Sequence, residues 1–269
     1  STGGTIASYA ISPAAPAGLT FNTTTGLLSG TPTTVAGATA YTITATNTTG
    51  SATQTFTLTV TGVVYTVGQT GPGGGKIFYV ATTPFACGPT RSSSCTYLEA
   101  APSGWNGGSD PQRTWGQNAP VNYNETSVPG NGATATAIGW GYRNTLAIVA
   151  QGNTNAATSA AALADSYTVT VSGVTYDDWY VPSKDELNQM CKWARGQAWT
   201  SDETVCDSNG TVNSATYGAS TAGFTAYIYR SSSEANASTS WNQFFFNTGA
   251  QITSLKNSGS WHVRPVRAF

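Results

Sequence analysis

Hydrophobic and polar residues alternate along two runs in the first quarter of the chain. The run 41–46 alternates larger and smaller side chains, and in the run 54–60 threonines alternate with Phe56, Leu58 and Val60. A period of two, carried by β-branched and aromatic residues, is typical of strands with one buried face. The pattern therefore predicts two half-buried β-strands.

Turn residues separate these runs and surround two shorter ones. The segment Asn47–Gly50 between the two runs has the composition of a hairpin loop, and short strands are predicted within 16–22 and 26–32. Residues 1–62 contain no stretch with helical periodicity. The pattern predicts an antiparallel β-sandwich for residues 1–62.

A glycine-rich segment follows, and after it the pattern changes. Residues 63–75 are predicted to form a linker, and residues 76–269 a second domain that mixes strands, helices and long polar loops. The second domain is predicted to open with a strand at 76–80. It is predicted to close with a strand at 263–269 that bends at Pro265.

Three helices are predicted in the second domain, at 142–151, at 156–164 and after Ser183. The last has the strongest signal, because Ser183 and Glu186 have the spacing of a capping box, in which each side chain binds the other residue's backbone N–H. Leu187, Met190 and Trp193 are predicted to form its buried stripe and so to belong to the core.

Charge is distributed very unevenly along the chain. All 11 Lys and Arg and all 12 Asp and Glu lie beyond Gly75, only 9% of residues are charged, and the net charge is −1. A nucleic-acid-binding protein needs a concentrated basic patch, so that partner is not expected. No apolar run approaches the roughly 20 residues of a membrane helix, so membrane insertion is not expected either. Because an uncharged surface favours association, we expect a protein that works outside the cell, on a surface or inside an assembly.

The four cysteines are Cys87, Cys95, Cys191 and Cys206, and their spacings match no zinc site. An even number fits two disulfides in an oxidising compartment. Of the three pairings we favour Cys87–Cys95 and Cys191–Cys206, each of which closes a short polar loop. Four unpaired thiols are the alternative.

Residues 1–62 resemble a known family. The blocks 9–13, 17–26, 28–32 and 41–47 are similar, in this order, to the immunoglobulin-like repeat of bacterial surface proteins. Such repeats begin about two strands earlier than Ser1, so the resemblance implies a truncated immunoglobulin-like β-sandwich, incomplete at its N-terminus. We expect the exposed edge of such a sandwich to accept a strand from a partner.

The second domain also resembles a known family. Five ordered blocks, 73–80, 97–102, 178–187, 230–234 and 263–269, are similar to the C-terminal domain of Legionella collagen-like adhesins, formerly a domain of unknown function. The resemblance implies a C-type-lectin-like α+β domain after the β-sandwich, in a chain that is mainly β. In that fold the first and last strands pair, here Lys76–Val80 with Val263–Phe269.

Catalytic chemistry has little support in the sequence. The single histidine, His262, lies beside Trp261 in the closing strand, where a structural role is expected. Of the paired carboxylates, Asp185–Glu186 are explained by the helix start. The pair Asp177–Asp178 fits either a cation site or a loop. Without a nucleophile and its base, we expect that the chain is not an enzyme.

Carbohydrate binding has more support, since all eight tryptophans lie in the second domain. Sugar rings stack on aromatic faces, and their hydroxyl groups bind amides and carboxylates. The candidate ligand-binding residues, from polar segments predicted to be exposed loops, are Trp105, Asn106, Asp110, Trp115 and Trp199. Burial in the core is the alternative for each tryptophan.

A calcium ion is the one cofactor considered. Asp177, Asp178 and Glu234 form a weak candidate calcium site, because they lack the dense Asp and Asn loop of stronger sites. For Glu234 and the arginines Arg264 and Arg267, buried ion pairs that stabilise the fold are favoured over ligand contact.

Two functions are compatible with these observations. The first is a bacterial adhesin whose lectin-like head, on an immunoglobulin-like spacer, binds glycans or other extracellular polymers. The second is the structural subunit of an extracellular filament or sheath, in which other copies of the chain complete the first domain by strand donation.

Overall fold

The computed structural model describes residues 4–32, 35–116, 136–151, 157–197, 204–236, 238–258 and 261–269. The chain divides into two compact units, Ser1–Val64 and Tyr65–Phe269, called unit 1 and unit 2 below. The division falls after Val64, so residues 65–75, predicted as a linker, belong to unit 2. Among the described residues, no helix is long and apolar enough to cross a membrane.

Unit 1 is built of antiparallel strands. They are β1 (Ser8–Ser12), β2 (Leu19–Phe21), β3 (Leu28–Gly30), β4 (Ala36–Asn47) and β5 (Gly50–Val60). One sheet has the order β1-β4-β5, while β2 and β3 pair with each other. The predicted hairpin loop is confirmed, because Asn47 of β4 pairs with Gly50 of β5. Both alternating runs are strands, as their period of two predicts.

Unit 1 buries very little apolar surface. Tyr41 of β4 lies opposite Phe56 of β5, and their stacked rings have centroids 5.6 Å apart. Directly opposite residues share a face of an antiparallel pair, so these rings mark the inner face. Yet Tyr41, 5% exposed, is the only hydrophobic side chain of unit 1 that is buried among the described residues. Thr, Ser, Gly and Ala dominate this unit and supply little else to bury.

The described part of unit 2 contains ten strands, three α-helices and one 3₁₀ turn. Its strands are β6 (Lys76–Cys87), β7 (Ser93–Ala100), β8 (Gln112–Arg113), β9 (Val169–Val171), β10 (Val174–Tyr176), β11 (Ile228–Glu234), β12 (Thr239–Phe244), β13 (Gln251–Leu255), β14 (Trp261–His262) and β15 (Val266–Ala268). Its helices are α1 (Gly141–Val149), α2 (Ala160–Asp165) and α3 (Lys184–Ala194), with a 3₁₀ turn at Ala219–Thr221. The sheets have the orders β13-β12-β11-β14-β8, β15-β7-β6 and β10-β9.

The core of unit 2 lies around helix α3. Leu187, Met190 and Trp193 of this helix are buried against Phe78 of β6 and Tyr229 of β11. The predicted apolar stripe is therefore confirmed. The three predicted helices are present with shifted ends, and Ala156, the predicted first residue of the second, lies outside the described residues.

The predicted pairing of the first and last strands of unit 2 is wrong. Strand β7 lies between them, and its Ala100 is opposite both Lys76 of β6 and Val266 of β15. Strands β6 and β7 are neighbours in sequence, and such strands pair readily because the loop that joins them is short. The closing segment also divides around Pro265, with β14 and β15 in different sheets.

Candidate functional site

Two disulfides stabilise unit 2, and both predicted pairings are confirmed. Cys87 is bonded to Cys95 with their Cα atoms 5.9 Å apart, and Cys191 is bonded to Cys206 with Cα atoms 6.0 Å apart. The first closes the β6–β7 hairpin, and the second ties helix α3 to the segment that follows it. Disulfides of this kind persist in oxidising compartments.

Arg264 and Asp110 form a buried ion pair. The Arg264 Nε lies 2.6 Å from Asp110 Oδ1 and its Nη2 lies 2.8 Å from Oδ2. Asp110 also accepts hydrogen bonds from the Tyr229 hydroxyl and the Trp105 indole. Burial, then the neighbouring Asp110 carboxylate, raises the pKa of Tyr229. Asp110 therefore joins its own segment, which also carries Trp105, to strand β11 and to the closing segment, and the predicted structural role of Arg264 agrees with this geometry.

Arg267 joins the last strand of unit 2 to two carboxylates. Its Nε lies 2.8 Å from Asp178 Oδ1, and its Nη1 lies 3.2 Å from Glu99 Oε2. Glu99 is fully buried and also accepts the N–H groups of Gly73 and Gly75 at 3.1 and 2.6 Å. Burial raises the pKa of Glu99, against the effect of these donors. The cluster anchors the glycine-rich segment, where a Cβ at Gly75 would collide with the Ala100 carbonyl oxygen.

The three calcium candidates are not brought together. Asp177 is exposed, Asp178 is paired with Arg267, and Glu234 binds Lys256 Nζ at 2.7 Å. The described residues contain no group of three His, Cys, Asp or Glu side chains that could hold a metal ion. The geometry thus gives a different role to two of the three carboxylates, which neutralise buried cations.

The candidate glycan-binding residues differ in their solvent exposure. Trp105 is half-buried, with its indole nitrogen 2.8 Å from Asp110 Oδ1, while Asn106 is exposed. The expectation that Trp115 is an exposed loop residue is wrong, because it is 2% exposed and donates its indole N–H to the Ser231 carbonyl at 2.9 Å. Trp199 lies outside the described residues.

The predicted capping box at helix α3 is confirmed. Glu186 Oε2 accepts the Ser183 N–H at 2.7 Å, and Ser183 Oγ accepts the Glu186 N–H at 3.3 Å. Glu186 Oε1 also accepts the Gly139 N–H at 2.8 Å, so the same carboxylate joins α3 to the start of α1. Burial raises the pKa of Glu186 to about 7.

A cluster that the sequence did not reveal lies at the start of helix α1. The Arg91 guanidinium carbon is 4.0 Å from the centroid of the Trp140 ring, and that of Arg143 is 5.6 Å from the same ring. Trp140 and Arg143 are three residues apart, the spacing of neighbours on a helix, which is a local signal. Arg91 comes from the loop closed by Cys87–Cys95, and only the folded chain shows its position. We call Arg91, Trp140 and Arg143 the arginine cluster.

A cleft of about 290 Å³ lies close to the arginine cluster, since the loop that carries Arg91 and the residue before Arg143 both line it. Its walls include Ser93, Tyr142, Asp178 and Tyr180, and the rings of Tyr142 and Tyr180 stack with centroids 5.4 Å apart. Aromatic faces with a few polar groups are typical of small-ligand sites.

Comparisons with known proteins identify one part of the chain. No curated protein and no solved structure matches the chain. A protein-family model described as "Putative Ig domain" matches residues 1–61. This match supports the immunoglobulin-like nature of unit 1, whereas the lectin-like nature of unit 2 stays a prediction. The family match and the two disulfides are together consistent with an extracellular protein, of a cell-surface or adhesion type at most.

Proposed function

We propose that this chain is a structural subunit of an extracellular assembly, in which a strand from another copy completes unit 1. The observation that supports the proposal is the small core of unit 1. Of the 32 hydrophobic residues buried in the described part of the chain, only Tyr41 belongs to unit 1. A domain of about 60 residues is marginal even when it buries about 60% of its unfolded surface. The stability of unit 1 would therefore increase if a partner covered its apolar residues.

The positions of the exposed apolar side chains show which surface a partner could bury. Five of the nine large hydrophobic residues exposed in the described chain belong to unit 1, namely Ile6, Leu27, Val35, Val63 and Val64. Unit 1 is about a quarter of the chain, so exposed apolar surface is concentrated in it. Each Å² of apolar surface removed from water contributes about 25 cal/mol.

Strand β5 offers the edge to which a strand can be added. It pairs with β4 alone within the described residues, so its other edge has no partner there. Natural proteins protect such edges with charged residues, above all lysine, or with proline. Residues 50–60 contain neither, and Thr55, Thr57 and Thr59 are exposed along the strand. The edge is open to main-chain hydrogen bonding by an added strand.

A second copy is the occupant that the charge distribution favours. Unit 1 has no charged residue, so copies that meet through it experience no charge repulsion. When such an interface joins different surfaces of the two copies, it produces rings or open filaments. Contacts through backbone and apolar groups should also persist at high salt, because salt screens only charges.

The test compares assembly of the full chain with that of two double variants. Thr55→Lys with Thr57→Lys places two charges along β5, and the matched control Thr82→Lys with Thr83→Lys places them on exposed positions of β6 in unit 2. Light scattering and electron microscopy measure the assemblies over a range of protein concentrations, in about 0.1 M and about 1 M salt, where the Debye length is about 10 Å and about 3 Å.

We expect ordered polymers from the natural chain and from the control, and monomers from the β5 variant. Monomers from the natural chain at every concentration would overturn the proposal. Polymers of the β5 variant would show that assembly uses another surface.

A second candidate function is adhesion through unit 2, with glycans as the ligand. The arginine cluster beside the aromatic cleft is the observation that favours it, rather than the tryptophans chosen from the sequence. The two functions are compatible, because a polymer of adhesive subunits satisfies both. A glycan array probed with the full chain, with and without calcium, tests this candidate, and no binding to any glycan would count against it.

A further inference from the structure

The arginine cluster places two cations on one aromatic ring. The guanidinium carbons of Arg91 and Arg143 lie 4.0 and 5.6 Å from the centroid of the Trp140 ring. The distance between the two carbons is therefore no larger than the sum of these values. All three side chains are half-buried, which leaves part of each accessible to a ligand. Arginine pairs well with oxyanions because its N–H groups form a planar fork.

Neither guanidinium in the cluster has an anionic partner among the described residues. No ion pair or side-chain hydrogen bond of Arg91 or Arg143 is present there, and the Arg91 Nε is buried without a partner. Arg264 and Arg267 differ, because each binds carboxylate oxygens through two nitrogens. A buried donor without an acceptor costs stability, so a ligand that supplies the acceptor is stabilised there.

The two cations also repel each other. Burial lowers the pKa of Arg91, the charge of Arg143 lowers it further, and only Glu186 acts in the opposite direction. An anion bound between the arginines would relieve this repulsion. Charge-assisted hydrogen bonds from guanidinium groups to oxyanions are about twice as strong as neutral ones.

The surroundings favour a ligand with a single, isolated negative charge. Asp165, Asp177 and Asp178 all act electrostatically on Tyr142, the residue before Arg143. A densely charged polyanion that extends over the cleft would meet these carboxylates and be repelled. A ligand with one carboxylate and an otherwise neutral body avoids that repulsion.

We propose that Arg91 and Arg143 bind the carboxylate of an acidic saccharide, whose ring lies in the neighbouring cleft. Its volume of about 290 Å³ is near the lower end of ligand pockets, roughly 300–1,000 Å³, which suits one sugar ring. The half-buried Tyr142 ring, whose other face stacks on the buried Tyr180, offers an apolar face to a sugar, and Ser93 offers a hydroxyl group. The proposal deepens the adhesive function of unit 2 and does not depend on strand completion of unit 1.

The experiment measures binding of methyl galacturonide, which has one sugar ring and one carboxylate, to the full chain by calorimetry. Dextran sulfate and the neutral methyl galactoside are the comparison ligands. The variants are Arg91→Gln and Arg143→Gln, and the matched control Arg113→Gln removes the same charge from strand β8. The Trp140 indole N–H signal, assigned with Trp140→Phe, reports by NMR whether the ligand reaches the cluster.

We expect Kd for galacturonate to rise at least tenfold in each cluster variant, about 1.4 kcal/mol, and to stay unchanged in the control. The Trp140 signal should shift on binding. The cluster variants should each lose only a cation–π contact with Trp140, and so little thermal stability, because neither side chain has a hydrogen-bond partner to lose.

Three results would overturn the proposal. Galacturonate binding that survives in both cluster variants would place the saccharide site elsewhere, while leaving glycan adhesion intact. Tighter binding of dextran sulfate, lost at moderate salt, would show general attraction of polyanions instead of a carboxylate site. No binding of any of the three ligands would count against both this site and the adhesive function of unit 2.

Discussion

Units 1 and 2 differ in the interactions that stabilise them. Unit 2 carries every charged residue of the chain, both disulfides and 31 of the 32 buried hydrophobic residues described. Unit 1 has no charged side chain and no cysteine, and its described residues include one buried ring. A unit with ion pairs and crosslinks specifies its own fold, whereas one with little core depends on what covers it. Units 1 and 2 should therefore respond to separate perturbations.

The largest expected effect is the loss of the buried Asp110 carboxylate. Asp110→Ala leaves the Arg264 guanidinium buried and uncompensated, which typically costs 3–5 kcal/mol. Denaturant unfolding followed by tryptophan fluorescence measures this, because all eight tryptophans belong to unit 2. Lys184→Ala is the control, since the Lys184–Asp185 pair is partly exposed and should contribute at most about 1 kcal/mol. Equal effects of the two substitutions would contradict the role given to Asp110.

Removal of the Cys191–Cys206 disulfide should come next in size. A double Cys→Ser variant should lower the free energy of unfolding of unit 2 by about 3 kcal/mol, the value expected for a loop of this length. The Cys87–Cys95 pair closes a shorter loop and should contribute less. Thermal unfolding with and without a reducing agent gives an independent check. A transition that reduction leaves unchanged would argue against crosslinks as stabilisers of unit 2.

In unit 1, substitution of Tyr41 tests how much a buried ring contributes to stability. Tyr41→Ala removes the one buried ring and its contact with Phe56, and we expect a cost of about 2–3 kcal/mol, somewhat below the usual value for large aromatic residues, because the site is incompletely covered. Hydrogen exchange of β4 and β5 should accelerate, while that of helix α3 stays unchanged. Faster exchange in α3 would show that the two units do not respond separately.

The pH dependence of stability should differ between the units. Glu186 has a pKa of about 7 in the folded chain, above its ordinary value of 4.5, so the folded state binds the proton more tightly than the unfolded state does. Stability from this group is then fully present below about pH 4.5 and is lost as pH rises to about 7, at up to about 1.4 kcal/mol per pH unit. Burial raises the pKa of Glu99 and Asp165, which act in the same direction.

Glu186→Gln should flatten the pH profile of unit 2, as measured by denaturant unfolding between pH 4 and 8. Unit 1 contains no carboxylate, lysine, arginine or histidine side chain, so its own transition should not change over this range. A profile for Glu186→Gln as steep as that of the natural chain would assign the dependence to Glu99 and Asp165.

Local patterns predicted local structure well. The hairpin at Asn47–Gly50, the capping box of Ser183 and Glu186 and the two disulfides all connect residues that lie close in sequence, so spacing and composition were sufficient. The strand order of unit 2 was not predictable in this way, because a hairpin competes with a long-range pairing and the resemblance to lectin-like folds favoured the latter.

The candidate site was harder to predict, because it depends on residues that are distant in sequence. Trp115 follows a polar segment and was expected to be exposed, yet its indole N–H reaches Ser231, 116 residues away. Arg91 and Trp140 are also far apart in sequence, and nothing in the local pattern of either indicates their contact. Long-range partners of polar groups are decided by the complete fold.

The position of Tyr65 has a mechanical consequence. Its ring lies 5.5 Å from that of Phe269 and 5.3 Å from that of Tyr97, so the two ends of unit 2 lie side by side. A force applied between Tyr65 and Phe269 would act first on these rings and on the bonds of Glu99 with Arg267, and not through the core around helix α3. The ends would separate under tension while the tightly packed interior, and the arginine cluster with it, stays folded.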